Sequence, residues 1–473
     1  MADGKPIFLP YLPRLLTPLP HAMSSLDDLL QDTTLRQTRL QILSLSLTNI
    51  ADAVEVVSIG YLISAIGRER GGFPVTQLQK EFLGSSVIVG LLFGGLVMGG
   101  LSDRIGRRRC IQISLLATSL SAILASLSPN IALLIVWKML GGMGVGGVLP
   151  VIFTLGAELF PSDRRDSSLS QVGFNWIFGS LYSSVLAWLF FEGTEFEGRW
   201  RVYILCCSLP SLLALASTRF LVESPSYHME KKNSLSAAES LSTLTERAVV
   251  PESLSLLQVV KDGEESYVVL FTNENLRAFS ILSLIWFAQH FSSFGMVNWI
   301  SSLFIDIGIH NPYLNSIIFA LAIVPGNLFS IHFIDIIGRR RMLLYGMVLA
   351  SLSILGLAGG ARSAVLVVLS SCLYNLFLVI GWNGLCCMSA DGYFDTHVKS
   401  SAMGLLSASG RLGGVVAQVS NELISYITHY SYSDSVCVRL LRDQRCLVDF
   451  YHEFDPAKWR ALYVFTSLRT QPV

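Results

Sequence analysis

Apolar positions in this chain come in long runs rather than in the alternation of a strand or the single stripe of a soluble helix. Six runs come first: Ile42 to Ile66, Phe82 to Leu101, Cys110 to Leu127, Ile131 to Ala157, Leu169 to Phe191 and Val202 to Leu221. After a polar interval come Leu276 to Phe304, Tyr313 to Ile334, Met342 to Gly359, Ala364 to Ala390 and Ala402 to Ile427. Each is close to the roughly 20 residues a helix needs to cross about 30 Å of hydrocarbon. The pattern predicts an all-α integral membrane protein.

Composition agrees, because only 14% of the 473 residues are charged while 52% are hydrophobic, too little charge to clothe a soluble surface. Net charge is zero and by itself uninformative, and no nucleic-acid partner is expected. Charge is unevenly placed, however. Arg104 and Arg107 to Arg109 follow the second run, Arg164 and Arg165 the fourth, and Arg339 to Arg341 the eighth. If the spans alternate, all three loops share one side, which the positive-inside rule makes the cytoplasm, with the N-terminus. Arg68, Arg70 and Lys80 run mildly against this. Residues 1–41 show no compact apolar segment before a small-residue cleavage site, so no cleavable signal is expected and the first span serves for insertion. Which membrane receives the chain stays open.

The chain also repeats itself. "GGLSDRIGRRR", Gly99 to Arg109, recurs as "IHFIDIIGRRR", Ile331 to Arg341, each time after the second span of a six-span half. "GRWRVYILCCSL" is echoed by "AKWRALYVFTSL" near the end, where a twelfth helix should open. That helix is expected to be incomplete, with a truncated or spliced form expected over a real eleven-helix form. The expected division is 1–41 N-terminal segment, 42–222 first half, 223–275 central loop and 276–473 second half. Cys437 and Cys446 fall on the non-cytoplasmic side, where a disulfide is an open expectation; the other six cysteines are expected to pack.

Two six-helix halves, a polar central loop and "GLVMGGLSDRIGRRR" between the second and third spans resemble the major facilitator superfamily over nearly the whole chain. "ADAVEVV", "GGMGVGGVLPVIFTLGAELFPSDRR", "ESP" and "SASGRLGG" are similar to its synaptic-vesicle-type and organic ion branch, with some marks shared by sugar porters. The resemblance implies two halves exposing a central site to each side in turn, and an expected monomer. It implies that Asp103, Arg104, Gly106, Arg107 and Arg108 form a latch at the cytoplasmic gate, with Asp335, Gly338, Arg339 and Arg340 doing likewise in the second half. Glu158 and Arg165 are expected to join that ion-pair network, and Arg411 is a further conformational candidate. The second half departs from the pattern at "GYFDTHVK", where Gly392 stands in place of an acid. Gly90, Gly94, Gly95, Gly99, Gly100 and the glycines Gly141 to Gly147 are expected to let helices approach closely.

The first span carries the candidate chemistry. Asn49, Asp52 and Glu55 recur every three residues and should point to roughly one side of the helix. An intramembrane acid costs at least a few kcal/mol unless paired or neutralised, and a buried carboxyl holds its proton more readily than one in water. Proton coupling through Asp52, with Glu55 second, is the expectation; the competing one is an acid permanently paired with Lys138 or Arg411. Other polar or indole groups within spans outline a solute site. They are Gln171, Asn175 and Trp176, then Gln289, His290, Asn298 and Trp299, Asn327, and Trp382 with Asn383.

No Gly-x-x-x-x-Gly-Lys-Ser/Thr, His-Glu-x-x-His or nucleophile elbow occurs. Neither direct ATP drive nor an enzyme is expected, and no cofactor or metal. The expected activity is secondary active transport of a small polar or charged organic solute, with protons as the driving partner. A transport-inactive receptor, scaffold or truncated isoform is the alternative.

Overall fold

The computed structural model describes residues 26–66, 74–192, 199–251, 254, 273–359, 363–391 and 396–433. Among them the regular structure is helical. In the first half it runs α1 (Leu26–Gln31), α2 (Leu35–Ala65), α3 (Gln77–Ile105), α4 (Arg107–Ser126), α5 (Ile131–Leu159), α6 (Arg165–Phe174), α7 (Trp176–Phe191) and α8 (Arg199–Ser217). The central loop adds α9 (Pro225–Glu230) and α10 (Ser234–Thr245). The second half has α11 (Asn273–Asp306), α12 (Pro312–Leu321), α13 (Ile323–Ile337), α14 (Arg339–Gly359), α15 (Ala364–Asp391) and α16 (Thr396–Ser433).

Among the described residues ten helical segments are long and apolar enough to cross a bilayer, and they correspond to the first ten runs of the sequence. The eleventh run lies within the 38 residues of α16. That helix is interrupted by Ser407, Ser409, Arg411 and Gln418 and is not among the ten. The expected twelfth helix, Cys437, Cys446 and Gly392 lie outside the described residues.

Local chemistry explains the boundaries. Thr34 caps α2, Thr76 and Gln79 close a reciprocal capping box on α3, and Asn130 caps α5. At the repeated motif a single glycine ends one helix and starts the next: Gly106 at φ +100° and Gly338 at φ +86°. Only glycine takes such φ without strain. The two halves thus share a turn as well as a sequence.

Two expected single spans are each broken in two. The eighth breaks at Ala322, where Pro325 cannot donate to the carbonyl of Leu321. The fifth breaks at Asn175, whose side-chain N–H₂ donates to the carbonyl of Gln171 at 2.8 Å. Asn49 of α2 serves the carbonyls of Val172 and Gly173 at 2.9 and 3.3 Å, so the bend is satisfied from a neighbouring helix.

Helices α3 and α5 approach until their backbones touch. A Cβ on Gly142 would meet the carbonyl of Val87, and one on Gly94 the carbonyl of Met143. Gly100 is a correction to the sequence expectation, since a Cβ there would meet nothing within 4 Å. At the arginine-bearing end of the first half, Leu29 and Leu30 of α1 and Ala237, Leu241 and Leu244 of α10 share one core with Ile111, Leu155 and Leu159. At the opposite end the halves meet: Gly60 of α2 lies against the backbone of Asn298 of α11, and Gly84 of α3 against Gln418 of α16.

Candidate functional site

The acids of α2 have separate fates. Residues three apart advance about 300° around a helix, so Asn49 and Glu55 stand about 120° apart. Asn49 and Asp52 turn to α6 and α7, whereas Glu55 turns to α5. There its Oε1 lies 2.8 Å from Nζ of Lys138, both side chains nearly inaccessible. Ser121 and Glu55 crowd Gly141, which leaves room for this pair between α2, α4 and α5. Glu55 is therefore neutralised by a lysine of its own half.

Asp52 is 2% exposed, and its Oδ2 accepts the indole N–H of Trp176 at 3.1 Å. Its Oδ1 has no hydrogen-bond partner among the described residues. The break at Asn175 sets Trp176 at the first position of α7, beside α2. Asn175 itself also donates to Ser46 at 2.8 Å, and Gln171 is exposed. A second charge bears on Asp52 from across the molecule, that of Arg411 on α16. Arg411 lies against Gly95 and donates to the carbonyls of Leu91 at 2.6 Å and Gly146 at 3.2 Å, both of the first half. A side chain expected to serve gating thus reaches the neighbourhood of the coupling candidate.

The second half contributes an aromatic group. His290 stacks on Trp286 and meets Trp382 edge-on at 5.0 Å, while its Nδ1 lies 3.1 Å from the Trp286 carbonyl. Trp286 donates to Ser389 at 3.0 Å. Gln289 donates to the Leu378 carbonyl at 3.1 Å, and its Oε1 is left without a partner among the described residues. Asn298 is 1% exposed and neither polar atom of its side chain has such a partner. Trp299 donates to Gln418 at 2.8 Å, and Gln418 donates to the Phe294 carbonyl at 3.1 Å. Asn383 donates to Asn327 at 2.9 Å, which ties α15 to α13. The structure therefore brings His290 and Trp382 together, and Asp52 and Trp176, while Asn383 is bonded to Asn327 and the side chain of Gln171 is exposed.

At the arginine-bearing end, Arg107 is nearly buried and bridges Asp103 at 3.2 Å and Glu158 at 3.3 Å, its guanidinium over the Tyr227 ring. Asp103 meets Arg107, but the carboxylate on the α4 amides is Glu223, which accepts from Arg107 and Arg108. Arg108 donates to the carbonyl of Thr218 at 3.1 Å, the Arg104 carbonyl accepts from Tyr227, and Arg165 donates to the carbonyl of Phe160. In the second half Arg339 and Arg340 are exposed, and the side chain of Asp335 lies outside the described set. Trp286, Gln418 and Tyr227 were not singled out from the sequence, and Glu223 entered only as part of the "ESP" that carries the resemblance, with no role given to it. Glu223 had a signal, the Glu-Ser-Pro at the start of α9, where Ser224 caps and Pro225 opens the helix.

Comparison with known proteins follows the same lines. The model of the family described as "Sugar (and other) transporter" matches residues 33–435. The niacin transporter NiaP of Acinetobacter baylyi is 25% identical over 377 residues, covering 77% of this chain and 84% of that protein. Human synaptic vesicle glycoprotein 2B is 30% identical over 195 residues, 39% of this chain and 28% of that one. Among solved structures, the proton:xylose symporter XylE of E. coli, bound to 6-bromo-6-deoxy-D-glucose, superposes with a TM-score of 0.66 at 16% identity. That superposition covers 92% of this chain and 93% of XylE, and shows the fold.

Proposed function

Because the chain belongs to the sugar (and other) transporter family of the major facilitator superfamily, we propose that it carries a small polar or charged organic solute across a membrane by alternating access, driven by protons. The observation that carries the coupling is the contrast between the two acids of α2. Glu55 has a lysine at 2.8 Å and is electrically spent. Asp52 has one indole N–H, a free oxygen among the described residues and an arginine that belongs to the other half. A buried carboxylate so placed exchanges a proton at small structural expense, and the exchange is felt by both halves.

The relatives named for niacin and for xylose with protons support a small polar solute. Amides at Gln289 and Asn298 supply donors and acceptors for it, and the indoles of Trp176 and Trp382 supply flat walls. The arginine loops face the cytoplasm by the positive-inside rule, and the N-terminus with them. The halves divide within 223–275, and the protein works as a monomer.

The test is uptake into proteoliposomes from a panel that includes niacin and xylose, with and without an imposed pH gradient. Asp52→Asn is expected to abolish gradient-driven uptake while preserving solute exchange at zero gradient. Full gradient-driven uptake by that variant would remove Asp52 from the coupling.

A further inference from the structure

Helix α12 begins without a cap of its own. Its N-cap residue, Asn311, sits in the left-handed region at φ +54° and makes no side-chain hydrogen bond to the helix, and Pro312 follows at the first position. The next amides belong to Tyr313 and Leu314. They are met from the other half: the carboxylate of Glu192, at the end of α7, accepts from the Tyr313 N–H at 3.2 Å and bears on that of Leu314. Around this contact the side chain of Tyr313 leaves its own half. It packs with Phe191 at 5.5 Å and Tyr61 at 6.5 Å, and its hydroxyl accepts from Ser64 at 3.4 Å. The contact lies at the end remote from the arginine loops.

We propose that Glu192 is a gate-positioning residue of the transport cycle: supplied by the first half, it caps the first turn of α12 in the second half and holds that face of the transporter closed. When the halves part on this side, α12 loses its cap and Tyr313 its aromatic partners. The orphan amides of a helix start need an acceptor, which is why a side chain from another helix is retained there.

The contact is also proton-sensitive. Burial pushes the Glu192 carboxyl above its ordinary range, against the opposing pull of the two amides and of His310. In the open state the carboxyl is returned to water. The closed state therefore binds the proton more tightly, so closure is favoured as pH falls through the raised value and weakened as pH rises. A neutral carboxyl still accepts the Tyr313 amide through its carbonyl oxygen and has no charge to desolvate. Among the described residues, the other titratable or charged groups near the contact are His310 from the loop before α12, Arg199 of α8, which donates to the Phe190 carbonyl at 2.7 Å, and the rings of Tyr61, Tyr203 and Tyr313.

The proposal rests on the halves moving about the site as in alternating access. It is read from a distance and not from flux, so its failure and a failure to transport are distinct results. Spin labels carried by non-natural amino acids at Leu127 and Val365, both exposed at that end and in different halves, report opening by pulsed dipolar spectroscopy on the full chain in lipid nanodiscs. In the unmutated background the open population is expected to shrink from pH 8 to pH 5. Glu192→Gln, which keeps an acceptor without charge, is expected to stay closed throughout. Glu192→Ala is expected to raise the open population about fivefold at pH 5, the worth of a typical cap. A distance distribution indifferent to pH in the unmutated background, which needs no variant to fold, overturns the proposal. So does a Gln variant that keeps the original pH response or opens as far as the Ala variant.

Discussion

The carboxylate of Glu223 accepts the backbone N–H of Arg107 at 2.9 Å, although α4 lies far before it in the chain. Gly106 gives α4 no side-chain cap, so the first amides depend on this remote acid. Glu223→Ala is expected to destabilise the protein by about 1–2 kcal/mol. Thermal unfolding in detergent checks this as a drop of roughly 1–2 °C in a chain this long. Glu223→Gln, which retains an acceptor, should lose less. An unchanged midpoint in the Ala variant would mean that water caps the helix equally well.

Lys138 and Glu55 form a pair nearly sealed from solvent. Removing one partner leaves the other charged and alone, so Lys138→Met should cost about 3–5 kcal/mol, whereas Lys138→Met with Glu55→Leu should recover most of the loss. The check is the yield of monodisperse protein and its unfolding midpoint. If Glu55 were the coupling group, the double variant would be stable yet unable to use a pH gradient; retained gradient-driven uptake is the expected result.

Two glycines of α3 and α5 give opposite expectations for the same substitution. Gly142→Ala drives a methyl into the carbonyl of Val87 and should sharply reduce folded protein. Gly100→Ala meets nothing and should leave stability the same or slightly higher, since alanine is the better helix former. Equal expression of both would contradict the close packing of these helices.

Arg411 uses two nitrogens of its guanidinium on carbonyls of two different helices. Lysine keeps the charge and loses the fork. Arg411→Lys is accordingly expected to lower the maximal uptake rate at least tenfold with folding intact, as judged by gel filtration. Unimpaired uptake would show that charge alone suffices.

The sequence displayed the span count, the repeated turn and the two acids in the membrane, because hydropathy and positive-φ glycine are local properties. It did not show that Asp52 and Glu55 point apart, since three-residue spacing looks like one face until the drift of 100° per residue is followed to Glu55. Nor did it separate Lys138 from Arg411 as partners: both were candidates for pairing an acid, and only the packing of α2 against α5 and of α16 against α3 assigns each its place. The breaks at Asn175 and Ala322 were hidden inside apolar runs that satisfy a length criterion without being continuous helices. Glu223 and Glu192 act on helices remote in sequence; the Glu-Ser-Pro marks the start of α9 but not the helix that Glu223 caps, and Glu192 carries no local mark of its partner.

The position of Lys138 also constrains the order of assembly. Helix α2 carries two carboxylates, each costing about 2.5–3.5 kcal/mol at the centre of an inserting helix. It leaves the ribosome well before α5 brings the lysine that neutralises Glu55. Helix α2 is therefore a poor lodger in lipid on its own. It must wait at the insertion machinery or in a provisional setting until α5 arrives, so the first five helices settle as a group. Losing that lysine would be felt during biogenesis, before any solute is moved.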